Sequence, residues 1–499
     1  MAIKRYYATK DNTITNAFKS NLNTRGVSGN MGQSDILEVF SIVGQVSSST
    51  DGLSSELSRV LVEFDVDEIN SDRIAGNIPA SGSVNFFLKM YDAEHTQTTP
   101  KNYTLVVSAI SQSWNEGLGL DMEEYTDEDA SNWLSASVGT EWVDMSDTVQ
   151  PGGSYITGSP GALTEYLFTQ SFDTGFENLE IDVSHLVEDW IKGDLTNYGF
   201  GVQLTSSDET STNSFYTKMF FARGSQFFHK RPVVEARFDD SKKDNRGDFF
   251  LSSSLVPGAD NLMNLYLYNV VRGELKDIPG LGENDGVQVL NVNIYSGSTS
   301  PTGEKLTLPV GGNVIDNNDT NITASHVETG IYSCSFAYTS SGITTIFDVW
   351  NSGAIEYHTG SAITVKTFNS QNYNFDQRYI SKVTNLRSIY SQGEKVRFRL
   401  YTRQKDWSPT IYTVASNDIE TSIVDNAYYR FVRVSDNLEV IPFGTGSLNH
   451  TRLSYDTSGS YFDLEMSLFD TDTVYELSFA YLINGSYVEQ PERFRFRVE

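Results

Sequence analysis

A chain of 499 residues with 38% hydrophobic and 12% aromatic content carries enough apolar surface to fold, and its length suits three or four domains. Its formal charge of −29 repels a phosphate backbone and excludes nucleic-acid binding through a basic groove. The single cysteine, Cys334, excludes an internal disulfide framework, and no run approaches membrane-spanning length. The residues from Met1 to Tyr7 lack the apolar core of an export signal. Synthesis in a reducing cytoplasm and no membrane insertion are therefore expected.

The elements in chain order are almost all strands. Residues 58–66, 83–90 and 103–109 alternate apolar and polar side chains, the period of a half-buried strand. Between 183 and 191, Leu186, Val187, Trp190 and Ile191 recur at helical spacing, with Ser184 as a candidate N-cap and Gly193 as a stop. Residues 199–204 return to strand, and the first domain, a β-sandwich, is placed at 1–240. Residues 241–248 contain no apolar side chain and read as a linker. A second module at 249–368 contains strands at 262–268, 287–295 and 331–338, the middle one changing apolar phase at Leu290. A third at 369–499 contains strands at 395–401, 429–434 and 493–498. Both have the size and turn rhythm of immunoglobulin-like sandwiches. The fold class is all-β, without an exact internal repeat.

Residues that could do chemistry are scattered. The six histidines show no metal-ligand spacing. Cys334, flanked two positions away by Tyr332 and Phe336, reads as a small buried hydrophobe. The acidic stretch 114–147 holds Glu116, Asp121, Glu123 and Glu124 near Trp114, Trp133 and Trp142, without a lysine or arginine. Acids beside tryptophan fit a sugar-cleaving or sugar-binding cleft, and equally an acidic loop with core tryptophans. Trp114, Trp133 and Trp142 are the glycan-binding candidates. Asp65, Asp67 and Asp72 place oxygen donors in one turn and are the calcium candidates, the only cofactor entertained. Arg246-Gly247-Asp248 spells an integrin-type tripeptide by chance. Arg378, Arg387, Arg397, Arg399, Arg403, Arg430 and Arg433 make the C-terminal part nearly balanced, so an acidic loop of one copy could meet this face of another.

Several segments of the first domain resemble the DNRLRE-type domains of surface and extracellular proteins: residues 11–14, beginning Asp11-Asn12, then 59–65, 110–116, 181–184 leading to Trp190, 197–202 and 231–236. This resemblance implies a jelly-roll fold and, in some members, glycan binding or attachment to large extracellular structures. Taken whole, with its opening residues 1–7 and the stretch 451–459, the chain resembles virion structural proteins of tailed, contractile marine bacteriophages. The resemblance implies a non-enzymatic tail or baseplate protein of the virion, present in multiple copies and contacting other virion proteins. A host-surface glycan-binding adhesin and a neck or collar component are the alternatives.

Overall fold

The computed structural model describes residues 2–48, 52–96, 99–126, 129–144, 146–156, 166–253, 261–281, 289–306, 322–339, 342–367, 377–408, 411 and 421–499. The chain is all-β apart from short helices and divides into two compact units, 2–239 and 240–499.

In the first unit the strands are β1 (Ile3–Thr15), β2 (Ile36–Ser48), β3 (Gly52–Phe64), β4 (Asn85–Met90), β5 (Tyr103–Ile110), β6 (Ser135–Ser137), β7 (Thr140–Glu141), β8 (Tyr155–Ile156), β9 (Leu167–Phe172), β10 (Leu179–Asp182), β11 (Phe200–Leu204), β12 (Phe215–Phe221) and β13 (Val233–Arg237). The main order is β10-β4-β13-β1-β3-β11-β5-β8, with β2 and β12 continuing from β3 and β9 from β5. β1 makes the corner of the sandwich. Its residues 3–7 pair with β13, its residues 8–15 pair with β3, and the register shifts between Ala8 and Lys10. An extra residue there bends the strand from one layer into the other. Alternate residues of β3, Val60 and Val62, fill the main core with Phe86, Leu88, Leu105, Val107 and Phe200. Leu61, between them, points into a second small core, so this strand is buried on both faces.

Two helices cap this core. α1 (Val66–Ile74) begins at Asp65, whose carboxylate accepts from the Asp67 and Glu68 N–H groups, and its acidic first turn suits the helix dipole. The segment reads as a turn in the sequence because its nine residues show almost no apolar periodicity. α2 (Ser184–Lys192) matches the expected helix and sends Leu186, Val187 and Trp190 into the core. Gly193 closes it at φ +79°, a left-handed value that glycine adopts without penalty. Ser184 is not its cap: its hydroxyl donates to Asp182 and accepts from the Phe86 N–H.

The second unit holds two sandwiches built on one plan. In the first, β14 (Met263–Tyr268) pairs with β20 (Ile331–Phe336), which pairs with β19 (Ser325–Glu328). The facing sheet contains β17 (Asn291–Ser296), β18 (Ile322–Thr323), β21 (Thr345–Ser352), β22 (Ile355–Thr359) and β23 (Ile363–Thr364). β15 (Val270–Val271) and β16 (Glu274–Leu275) form a separate hairpin. In the second sandwich, β24 (Tyr379–Val383), β26 (Lys395–Gln404), β30 (Gly459–Glu465) and β29 (Ser454–Asp456) form one sheet in that order. The other runs β25 (Ile389–Tyr390), β33 (Phe494–Val498), β31 (Thr473–Ile483), β27 (Ala427–Arg433) and β28 (Glu439–Ile441), with β32 (Ser486–Glu489) also on β31.

Both follow the strand order of an immunoglobulin-like sandwich. An early segment runs parallel to the last strand in each: Phe250 beside Lys366, and β25 beside β33. Each also adds a hairpin partner to the strand before the last, β22 on β21 and β32 on β31. At the start of β31 the Tyr475 hydroxyl accepts from the Asp470 N–H at 2.8 Å, the tyrosine corner of such folds. The repeat lives in topology, which is why it leaves no trace as a sequence repeat. Cys334 is buried on β20 as expected, and burial raises its thiol pKa.

Residues 241–248 are not a loose linker. Lys243 bridges Tyr455 in parallel, with the Asp244 N–H donating to the Tyr455 carbonyl at 3.1 Å and the Tyr455 N–H to the Lys242 carbonyl at 2.9 Å. The segment thus adds a single parallel bridge beside β29. It then turns through Asn245–Gly247, where Asn245 donates to the Tyr455 hydroxyl and accepts from the Asn264 N–H on β14. Arg246 clamps the buried Asp348 of β21 with bonds of 2.8 and 2.5 Å. Polarity here does not mean solvent: Lys242, Asp244, Asn245 and Arg246 all bond within a seam between two sandwiches. The tripeptide at 246–248 is part of it.

Removing Arg246 leaves a buried carboxylate without its counter-charge. Arg246→Ala is expected to cost about 3–5 kcal/mol in chemical denaturation of the full chain. Arg397→Ala, which breaks a more exposed pair with Asp463, should cost about 0–1 kcal/mol. Equal losses would refute a special role for the seam.

Candidate functional site

The tryptophans and acids singled out in the sequence come together around β1, in different roles. Trp114 and Trp142 are 1% and 0% exposed, and their indole N–H groups donate to the carbonyls of Tyr198 and Asn132 at 2.9 and 2.8 Å. Trp133 is covered by the Arg59 guanidinium, 5.4 Å from its ring centroid, and by Gly152. With Ile14, Leu61, Ile110 and Ala136 they form the small core behind β3. No indole face is open to a sugar, so Trp114, Trp133 and Trp142 are corrected from glycan-binding candidates to core.

The acids are similarly occupied. Glu116 accepts from the Asp11 N–H at 2.9 Å and takes Arg223 in a fork of 3.0 and 2.8 Å. Asp121 accepts from the N–H groups of Glu123 and Glu124, and Glu123 from that of Ser20. The calcium candidates are spread along α1. Asp65 caps the helix, while Asp72 is bound by Lys4, Tyr6 and Asn77. At 1.5 Å per residue Asp65 and Asp72 stand about 10 Å apart along the chain axis, too far to share one ion. Among the described residues no group of three or more His, Cys, Asp or Glu side chains is placed to hold a metal. Asp65 and Asp67 instead line an open cleft of about 580 Å³ with Thr9, Glu63, Trp190 and Asn197. Lys10 neutralises Glu63 there.

What the region does is fix two surface loops onto a strand. Asn12 donates to the Ser131 carbonyl and hydroxyl, both at 2.9 Å, and accepts from the Met31 N–H at 3.0 Å. Asn30 donates to the carbonyls of Glu116 and Ser131 and accepts from the N–H of Gly119 at 2.8 Å. Gly119 is forced by this approach, since a Cβ there would stand 2.0 Å from the Asn30 carbonyl oxygen. Every polar atom so buried must find a partner, and Asn12 and Asn30 are each fully sealed. Burial pushes Asp11 up to about 7, against the Arg223 N–H that it accepts and with the help of nearby Glu116. Of these groups only Asp11, Asn12 and Glu116 drew attention in the sequence, and Asn30 and Arg223 did not. Residues 11–13 are all polar and all buried, and nothing in the sequence separates such a run from a solvated one.

The loops so anchored expose apolar side chains. Leu118, Leu120 and Tyr125 stand in water beside Asp121, Glu123 and Glu124. Phe227 and Phe228 do the same beside Lys230 and Arg231, a pair of exposed aromatics followed by cations that the sequence reading passed over. The C-terminal arginines, by contrast, are spent within their own sandwich. Arg397 pairs with Asp463, Arg399 with Asp456, Arg430 with Glu439 and Glu489, and Arg433 with Asp436 and Asp470. The charge of these four is thus spent within the sandwich.

No protein-family profile matches the chain, and no curated protein does. Among solved structures, a marsupial T cell receptor is 9% identical, with 51% of this chain and 71% of that one covered at a TM-score of 0.15. The N-terminal Ig1-2 module of the Drosophila receptor protein tyrosine phosphatase DLAR is 7% identical, covering 48% and 90% at a TM-score of 0.15. The chicken CNTN1 FN1-FN3 domains are 9% identical, covering 82% and 95% at a TM-score of 0.15. At such scores the fold rests on the strand order and tyrosine corner of this chain itself.

Two expectations follow. Trp142→Ala should destabilise the chain by about 3–5 kcal/mol, the cost of emptying a core site; unchanged stability would restore a surface role. Asp11 holds its proton in the folded chain up to about 7 but releases it at 3.8 when unfolded. Its contribution is therefore full at acid pH and is lost as pH rises from 3.8 to about 7. Asp11→Asn should remove that part of the pH dependence of the urea midpoint while keeping an acceptor for the Arg223 N–H. An unaltered pH profile would contradict the assignment.

Proposed function

We propose that the chain is a non-enzymatic structural protein of a tailed-phage virion, of the tail or baseplate region, present in several copies and acting through protein–protein interfaces. The observation that carries this reading is the pairing of rigidly anchored loops with exposed apolar side chains. A catalytic carboxylate needs freedom to meet a substrate, and the acids of the tryptophan region are committed to backbone N–H groups and to Arg223. Leucines and phenylalanines left in water on stiff loops, in contrast, are what an interface buries. The seam at 241–248 adds to the reading, because it fixes two sandwiches as one body able to transmit a fixed spacing. The glycan-adhesin alternative loses its proposed residues with the three tryptophans in the core.

Purified particles, separated into heads and tails and quantified by mass spectrometry, test this. Stoichiometric recovery in tails is expected. Presence only as free protein in infected cells would overturn it.

A further inference from the structure

We propose that one face of the first unit is a self-complementary docking surface on which a second copy of this chain seats about a two-fold axis. The proposal rests on the assembly reading above and names the partner of this surface.

The face has two halves of opposite charge and the same apolar character. In one, Leu118 (77% exposed), Leu120 and Tyr125 lie beside Asp121, Glu123 and Glu124. In the other, Phe227 and Phe228 are 50% and 44% exposed. The Lys230 ammonium lies 5.1 Å from the Phe221 centroid and 5.9 Å from that of Phe227, and the Arg231 guanidinium 5.2 Å from that of Phe228. The halves adjoin. Arg223 and Glu116 tie them together, and residues 33–35 run between them, Gln33 donating to the Gly119 carbonyl and Asp35 accepting from the Ala222 N–H, each at 2.9 Å.

Half a turn about an axis through the boundary lays the acidic half of one copy on the basic half of the other, and does so twice. A uniformly acidic partner would be repelled by residues 121–124, and a uniformly basic one by Lys230 and Arg231. A partner that carries both signs in the matching layout, with apolar side chains between them, is another copy. The aromatics are already ordered: Phe228 packs on Tyr7 at 4.4 Å and Phe227 edge-on to Phe221 at 5.4 Å. Little side-chain freedom is lost on docking, which lowers the cost of forming the contact.

Sedimentation equilibrium of the full chain tests the idea. A dimer is expected at physiological salt, where the general repulsion between two chains of net charge −29 is screened. Glu124→Lys and Lys230→Glu should each weaken it about tenfold or more by placing like charges opposite each other, and the double variant should recover most of the loss. Glu124 is exposed, so its reversal leaves folding intact. A monomer at every attainable concentration, a dimer indifferent to both reversals, or a double variant no better than the singles would each overturn it. A monomer still found stoichiometrically in tails would sink this contact and leave the assembly reading standing. A dimer absent from particles would do the reverse.

Discussion

The pairing of Arg246 with Asp348 sets the arrangement of the whole second unit. Asp348 is completely sealed, and its burial alone would raise its pKa; the Arg246 fork and the Trp350 indole N–H at 2.6 Å hold it below the usual carboxylate range. The same segment presents a second acid, Asp244, which receives the Arg246 backbone N–H but not its guanidinium. Burial pushes that acid up to about 6. One cation between two carboxyl groups thus holds one below the usual range while burial raises its neighbour, splitting their titrations. A buried ion pair of this kind adds little net stability over an apolar contact, but it is directional. Only one placement of residues 241–248 satisfies Asp348, Asn264 and Tyr455 at once.

Buried charge organises the first unit in the same manner. On β1, β4 and β13, Tyr6, Leu88, Val234 and Ala236 face the core, while Arg5, Lys89, Glu235 and Arg237 lie on the opposite face and are nonetheless covered. Glu235 sits directly across from Arg5 and bonds to both Arg5 and Arg237, which keep it ionised well below the ordinary range despite its burial. A slip of one residue in the β1–β13 register would put Glu235 into the apolar core and Val234 into the charged layer, so the pair fixes the register of the corner strand. Asp92 and Lys218 make a comparable buried contact, where the ammonium also donates to the carbonyls of Gly175 and Glu177.

The sequence made the strands legible because period-two alternation survives wherever one face of a sheet is wet, as along 395–401 and 493–498. It made α2 legible through four apolar residues at helical spacing. It hid α1, whose helix is specified by a capping aspartate and by charge at its ends, with only Val66 and Ile69 buried. It hid the seam, since a run without apolar residues looks the same whether its polar groups meet water or each other. The tryptophans were visible and their setting was not: whether an indole beside acids is a platform or a core residue depends on what covers it, here Arg59, Gly152 and the loops that Asn12 and Asn30 hold down.

The distribution of charge decides which parts of the surface can recognise anything. With 65 acidic side chains against 36 basic ones, most of the acidic excess has no cation to meet within the chain. Arg397, Arg399, Arg430 and Arg433 of the last sandwich are each held by one or two of its own carboxylates, so these four neither attract nor repel strongly at a distance. An approaching acidic surface therefore meets a broadly negative field and is turned away unless it finds one of the places where a cation and exposed apolar side chains coincide. Lys230 and Arg231 above Phe227 and Phe228 make such a place, and the field around it discourages contacts elsewhere. A strongly acidic chain can in this way be selective in its contacts without a deep pocket: repulsion over most of the surface supplies the discrimination, and one small mixed patch supplies the attraction.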